Sequence, residues 1–178
     1  MIIGVSGKAE SGKDFCANIM QEYLENNGYK SIILHYGDYL KYICKMYFGW
    51  NGEKDEEGRK ILQHVGTDLI RAKYPTYWVD SMLRTILILE DIYDYFIIPD
   101  TRFPNEILVP IAAEFDIKTV LVTRPNHVNK LTEEQKNHLS ETSLDGFSFD
   151  YTIIGGEGRE GVYQKTIEVL LNIIGGKY

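Results

Sequence analysis

Five short apolar runs punctuate the chain: MIIGVS (residues 1–6), SIILHY (31–36), YDYFIIPD (93–100), IKTVLVT (117–123) and DYTII (150–154). Between them apolar positions recur every three or four residues, the period of a helix with one buried face. Strands that are apolar almost without alternation meet no water on either side, as in a parallel sheet covered by helices on both faces. The pattern predicts an α/β, three-layer fold with a five-stranded, mostly parallel sheet.

The first helix is expected from about Gly12 to Asn27, with Phe15, Ile19, Met20, Tyr23 and Leu24 on its apolar face and Asn26, Asn27 and Gly28 as its stop. Residues 38–92 read as three helices, over 38–48, 55–73 and 76–91. The last two part at Pro75, because the residue before a proline is pushed out of helical geometry. A final helix over 160–174 turns Val162, Val169, Leu170, Ile173 and Ile174 toward the sheet. Residues 124–145 are polar with little periodicity, and read either as a mobile lid or as a solvated excursion. With 178 residues and no internal repeat, a single domain over 1–178 is expected.

The stretch GKAESGKD (7–14) joins the first strand to the first helix. Backbone N–H groups at a helix N-terminus can meet the charge of a polyphosphate, glycines supply the backbone angles this requires, and a lysine supplies a cation. Here Gly7, Gly12 and Lys13 have the spacing of a phosphate-binding loop. That spacing alone arises by chance in a few per cent of chains, but its place between a strand and a helix is the context the motif needs. The fold expected is then that of the P-loop NTPases. Gly7, Lys8, Ala9, Glu10, Ser11, Gly12, Lys13, Asp14 and Phe15 form the candidate nucleotide site.

Asp14 stands where such loops have Ser or Thr. A carboxylate there either binds Mg²⁺, which takes hard oxygen ligands, or is held by the helix dipole in the first turn. Asp100, ending the third apolar run, is a second metal candidate with helix capping as its alternative. Arg102 can reach phosphate or pair with a carboxylate.

Charge narrows the partners. Nineteen Lys and Arg against 26 Asp and Glu give −7, so the surface as a whole repels polyanions, and no basic block appears that would bind a nucleic-acid polymer or an anionic membrane. A small nucleotide feels only the cations and dipoles of its own site. Cys16 and Cys44 have no metal-like spacing and read as buried thiols. No apolar run approaches the roughly 20 residues of a membrane span, and a cytoplasmic location is expected.

Within the expected helix 55–73, Arg59, Gln63, Thr67 and Arg71 recur every fourth residue as one polar stripe, opposite Ile61, Leu62, Val65, Leu69 and Ile70. The stripe is either a solvated face or a phosphate clamp with Gln63 reading a base or a sugar. Asp38 reads as an N-cap or an acceptor-side carboxylate. Trp78 stacks on a base or fills core.

GKAESGKD, GRKILQHVGTDLIRAKYPTYW (58–78), DTRFPNE (100–106) and HLSETSLD (138–145), in this order, resemble the phage and bacterial deoxynucleoside monophosphate kinases. The resemblance spans most of the chain, and the second and third motifs are the specific ones. It implies transfer of the γ-phosphate of ATP, with Mg²⁺, to a deoxynucleoside monophosphate. Residues 38–92 would bind the acceptor and 124–145 would form the lid. Lys13, Arg102 and Arg124 would surround the transferring group, while Asp38, Arg59, Gln63, Thr67, Arg71, Trp78, Arg102 and Glu106 would face the acceptor. His138, Ser140 and Glu141 match the family pattern without an assigned role. The sequence departs from the family at GGEG (155–158), where members place an Asn near the donor base. The implied partner is a small molecule, with room for a homodimer.

Two rivals remain at this point. One is a P-loop kinase of another phosphorylated small molecule, since animal phosphomevalonate kinases also carry a loop ending GKD, although they lack a stretch like LQHVGTD. The other is a nucleotide-binding module in which Asp14 has abolished turnover.

Overall fold

Alternation along the first strand assigns its side chains to two different cores. In β1 (Ile2–Ser6), Ile3 and Val5 turn to one face of the sheet and Ile2 to the other. On the first face, Cys16, Met20 and Leu24 of α1 (Lys13–Asn26) and Leu170 and Ile173 of α8 (Gly158–Gly175) pack on Ile3, Val5, Ile97, Val120 and Ile153. On the second, Trp78, Val79, Met82 and Ile86 of α4 (Tyr77–Leu89) pack on Ile2, Phe96 and Ile98. In this computed structural model residues 1–125, 127–156 and 158–175 are described. Asn126 of the expected lid and Glu157 of GGEG lie outside them.

The remaining elements are β2 (Ser31–Ile33), α2 (Tyr36–Tyr47), α3 (Glu56–Gln63), β3 (Tyr95–Thr101), α5 (Asn105–Ala112), β4 (Ile117–Thr123), α6 (Glu133–Asn137), α7 (Leu139–Thr142) and β5 (Tyr151–Ile154). The strands form one sheet in the order β2-β3-β1-β4-β5, and every pairing is parallel. The expected five-stranded α/β sandwich is what forms. Both cysteines are buried and free, and no helix among the described residues is long and apolar enough to cross a membrane.

Local departures have local causes. The second strand stops at Ile33 and Tyr36 already begins α2, because the carboxylate of Asp100 accepts the N–H groups of Tyr36 and Gly37 and draws the chain into a helix. The expected 55–73 helix is α3 followed by wide, π-helical turns over His64–Arg71. Such turns accompany functional sites more often than ordinary helix does. α5 carries no cue in residues 101–116, since it holds Pro110 inside it. Phe15, expected on the inner face of α1, is exposed, with the Arg159 guanidinium 6.0 Å over its ring. Cys16 and Ala17 take the inward positions instead.

Candidate active site

Gly7 is glycine for a steric reason: a Cβ there would stand 2.2 Å from the Val122 carbonyl oxygen and 2.6 Å from Ser11 Oγ, at φ +149°. Its closeness to β4 lets the loop turn back over the sheet edge. Gly12, at φ +99°, then releases the chain into α1 with Lys13 as the first helical residue. Lys13 is buried and donates to the Lys8 carbonyl (2.8 Å). Burial, followed by the nearby Arg102 guanidinium, brings its pKa down to about 8. The loop thus holds a largely desolvated cation at the start of α1, which is what binding a phosphate requires.

Asp14, next along, is exposed and turned to His35 of the β2–α2 connection (3.5 Å). Hydrogen bonding to His35 is the chief cause that holds the Asp14 carboxyl below its ordinary value. The same contact raises the His35 pKa. His35 also faces Asp38 at 3.5 Å, so it lies between the phosphate loop and α2, a link that sequence reasoning missed. Asp38 is neither an N-cap nor a wall of the cavity described below. It lies inside the first turn of α2 and pairs with Lys41 (2.7 Å). The capping chemistry comes from Asp100, through Tyr36 N (2.9 Å) and Gly37 N (2.8 Å).

A cavity of about 460 Å³ opens beside the loop. Lys13, Asp14, Asp100 and Arg102 line it together with Arg59, Gln63, Thr67 and Arg71, the entire polar stripe. The stripe therefore faces a concave site rather than bulk water. Trp78 lines this cavity but is buried, and its Nε1 donates to the Gly66 carbonyl (3.0 Å). Its core role dominates. Arg124 lies apart, lining a second cavity of about 370 Å³ with Lys8, Ser11 and Phe147. Arg102 borders both cavities.

Glu106 and Arg71 pair in the wall of the larger cavity. Glu106, 2% exposed, accepts from Arg71 Nη2 (2.7 Å) through one oxygen and from Arg102 N (2.6 Å) and Phe103 N (3.2 Å) through the other. Arg71 Nη1 donates to Asn105 Oδ1 (3.1 Å), and its guanidinium lies 3.7 Å over the Phe103 ring. Burial pushes the Glu106 pKa up to about 7 against the opposing pull of Arg71. Both ends of the expected Arg71 fork are thus committed to protein. Glu106 holds a wall of the cavity in place, and Arg59 Nε is spent on the Lys54 carbonyl (3.0 Å).

The polar segment 124–145 docks on the loop through charge. Lys8 donates to Asp145 and to the Glu141 carbonyl. Ala9 N donates to Glu141 Oε2 (2.9 Å), and Arg102 donates to the other Glu141 oxygen and to the Ser140 carbonyl (2.9 Å). His127 meets Glu10, which adopts φ 62°, at 2.9 Å.

No family model matches this sequence. No curated protein sequence matches it either. Solved structures do. Dephospho-CoA kinase from Campylobacter jejuni superposes over 97% of this chain and 96% of that one, at 18% identity and a TM-score of 0.52. The fold is that of the P-loop kinases. Mycobacterium tuberculosis APS kinase in complex with AMPPNP and APS covers 96% of each chain (16% identity, TM-score 0.51). Shikimate kinase from Aquifex aeolicus covers 99% and 98% (17%, 0.51). At these identities the likeness is one of fold.

Proposed function

We propose that this chain transfers the γ-phosphate of ATP to a deoxynucleoside 5′-monophosphate, giving the diphosphate. The observation that carries the reading is the single cavity that joins Lys13 and Arg102 to the stripe Arg59, Gln63, Thr67 and Arg71. A phosphate loop and a polar helix face sharing one concave site suit two phosphorylated ligands meeting end to end. The specific motifs LQHVGTD and DTRFPNE, quoted above, line this same space through Gln63, Thr67, Arg102 and Glu106.

In this reading an oxygen of the acceptor monophosphate forms a bond to the γ-phosphorus while the bond from that phosphorus to the β,γ-bridging oxygen breaks, and ADP leaves with the electron pair. The acceptor oxygen is already anionic, so the protein supplies positioning and charge neutralisation rather than a general base. Lys13 and Arg102 neutralise the transferring group. Arg124, in the adjoining cavity, faces the donor side. Asp14 fits Mg²⁺ by the chemistry of its exposed hard-oxygen carboxylate on the cavity wall, and the ion when bound supplies charge neutralisation on the donor phosphates. Among the described residues no group of three or more His, Cys, Asp or Glu could hold an ion. Asp100, whose two oxygens already serve α2, is the lesser ligand candidate.

The stripe gives the test. Gln63→Ala and Thr67→Ala should each raise the acceptor KM by about tenfold, the scale of one lost side-chain hydrogen bond to a charged ligand, with the ATP KM unchanged. An equal change in both, or in the ATP KM alone, would move the acceptor elsewhere.

A further inference from the structure

The Glu141 side chain is 7% exposed, although the segment that carries it is polar in sequence. Its two oxygens do what two oxygens of a phosphoryl group would do at this place. One accepts a backbone N–H of the phosphate loop, from Ala9 at 2.9 Å, and the other accepts the Arg102 guanidinium. The segment is fastened beside these contacts by the Lys8 ammonium, shared between Asp145 and the Glu141 carbonyl, and by Arg102 on the Ser140 carbonyl. A loop N–H and one guanidinium nitrogen cannot serve a buried carboxylate and a phosphate at the same distance and angle. The two anions exclude each other.

We propose that Glu141 is a positioning residue that stands in for a phosphoryl group: it keeps the Ala9 N–H and Arg102 aligned as anion receptors, and it yields them to the terminal phosphate of the donor. The proposal rests on the reading of residues 7–14 as the donor's phosphate site. Its consequence is that Glu141 weakens polyphosphate binding while preorganising the groups that accept it. Departure of Glu141 also frees Lys8 from the Glu141 carbonyl, so that arrival of phosphate and release of the 138–145 segment are one event. Selectivity follows as well. A ligand without a phosphate has nothing to exchange for the carboxylate, so a nucleoside at the donor position leaves the segment docked.

Inorganic tripolyphosphate is the probe, because it needs only the phosphate loop and no acceptor. Calorimetric titration of the full chain should show Glu141→Gln binding tripolyphosphate about fivefold or more tightly than the native protein, the scale of removing one charge-assisted competitor. Equal or weaker binding by the variant, with the native protein still binding, overturns the proposal and leaves the donor reading intact. Absence of binding to the native protein overturns both. Hydrogen exchange on the native chain is independent of any variant: saturating tripolyphosphate should speed exchange in residues 138–145, and slowed or unchanged exchange there contradicts the exchange of anions.

Discussion

Glu106 shows how one buried carboxyl ties chemistry to stability. Its folded pKa of about 7 lies above the ordinary carboxyl value because burial outweighs the attraction of Arg71. Between pH 4.5 and 7 the folded protein therefore holds more protons at this site than the unfolded chain, and stability falls as pH rises through that window, levelling above it. Denaturant unfolding at stepped pH should show this decline. Glu106→Gln should abolish that part of the pH dependence. It should also cost about 1–3 kcal/mol, because an amide must turn its NH₂ toward either Arg71 or the Arg102 and Phe103 N–H groups, all of them donors. The candidacy of Lys13 was legible from the spacing of Gly7, Gly12 and Lys13 together with their place between a strand and a helix. The partnership of Ala9 with Glu141 was not, because 132 residues separate them. No local pattern marks a carboxylate that will fold back on the 7–14 loop.

At the scale of elements, the junction of β2, β3 and α2 depends on Asp100. Its position at the end of an apolar strand was readable, but its partners were not: they lie 64 and 63 residues away and are backbone groups with no sequence signature. Asp100→Ala leaves the N–H groups of Tyr36 and Gly37 without their acceptor, and should lower unfolding free energy by about 1–3 kcal/mol with faster hydrogen exchange at the start of α2. Asp100→Asn, which keeps an acceptor oxygen, should recover part of that loss. Unaltered exchange in α2 would show that the carboxylate does not hold the helix start. The polar stripe was read from an ordinary helical period, and it reaches the cavity even though His64–Arg71 widens into π-helical turns. The widening itself has no signal in apolar spacing, because it changes hydrogen bonding rather than which residues are polar.

For the molecule as a whole, the apolar runs disclosed the sheet because a strand buried on both faces leaves an uninterrupted pattern. Strand order and the docking of 138–145 depend on long-range contacts, which leave no local pattern in the sequence. Local charge matters more than the net of −7: Lys13, Lys41, Lys54, Arg59, Arg71 and Arg102 line one cavity together with the carboxylates of Glu10, Asp14, Asp100, Glu106 and Glu141, a mixed wall that suits a small phosphorylated ligand better than a polyanion. The most direct measurement is a screen of ADP release and product formation from ATP with dAMP, dGMP, dCMP, dTMP and their ribose counterparts, using Lys13→Ala as the control. The expected result is phosphoryl transfer to at least one deoxynucleoside monophosphate, reduced about a hundredfold or more in the variant. Transfer to no nucleoside monophosphate, while ATP still binds, would contradict the assignment of the acceptor.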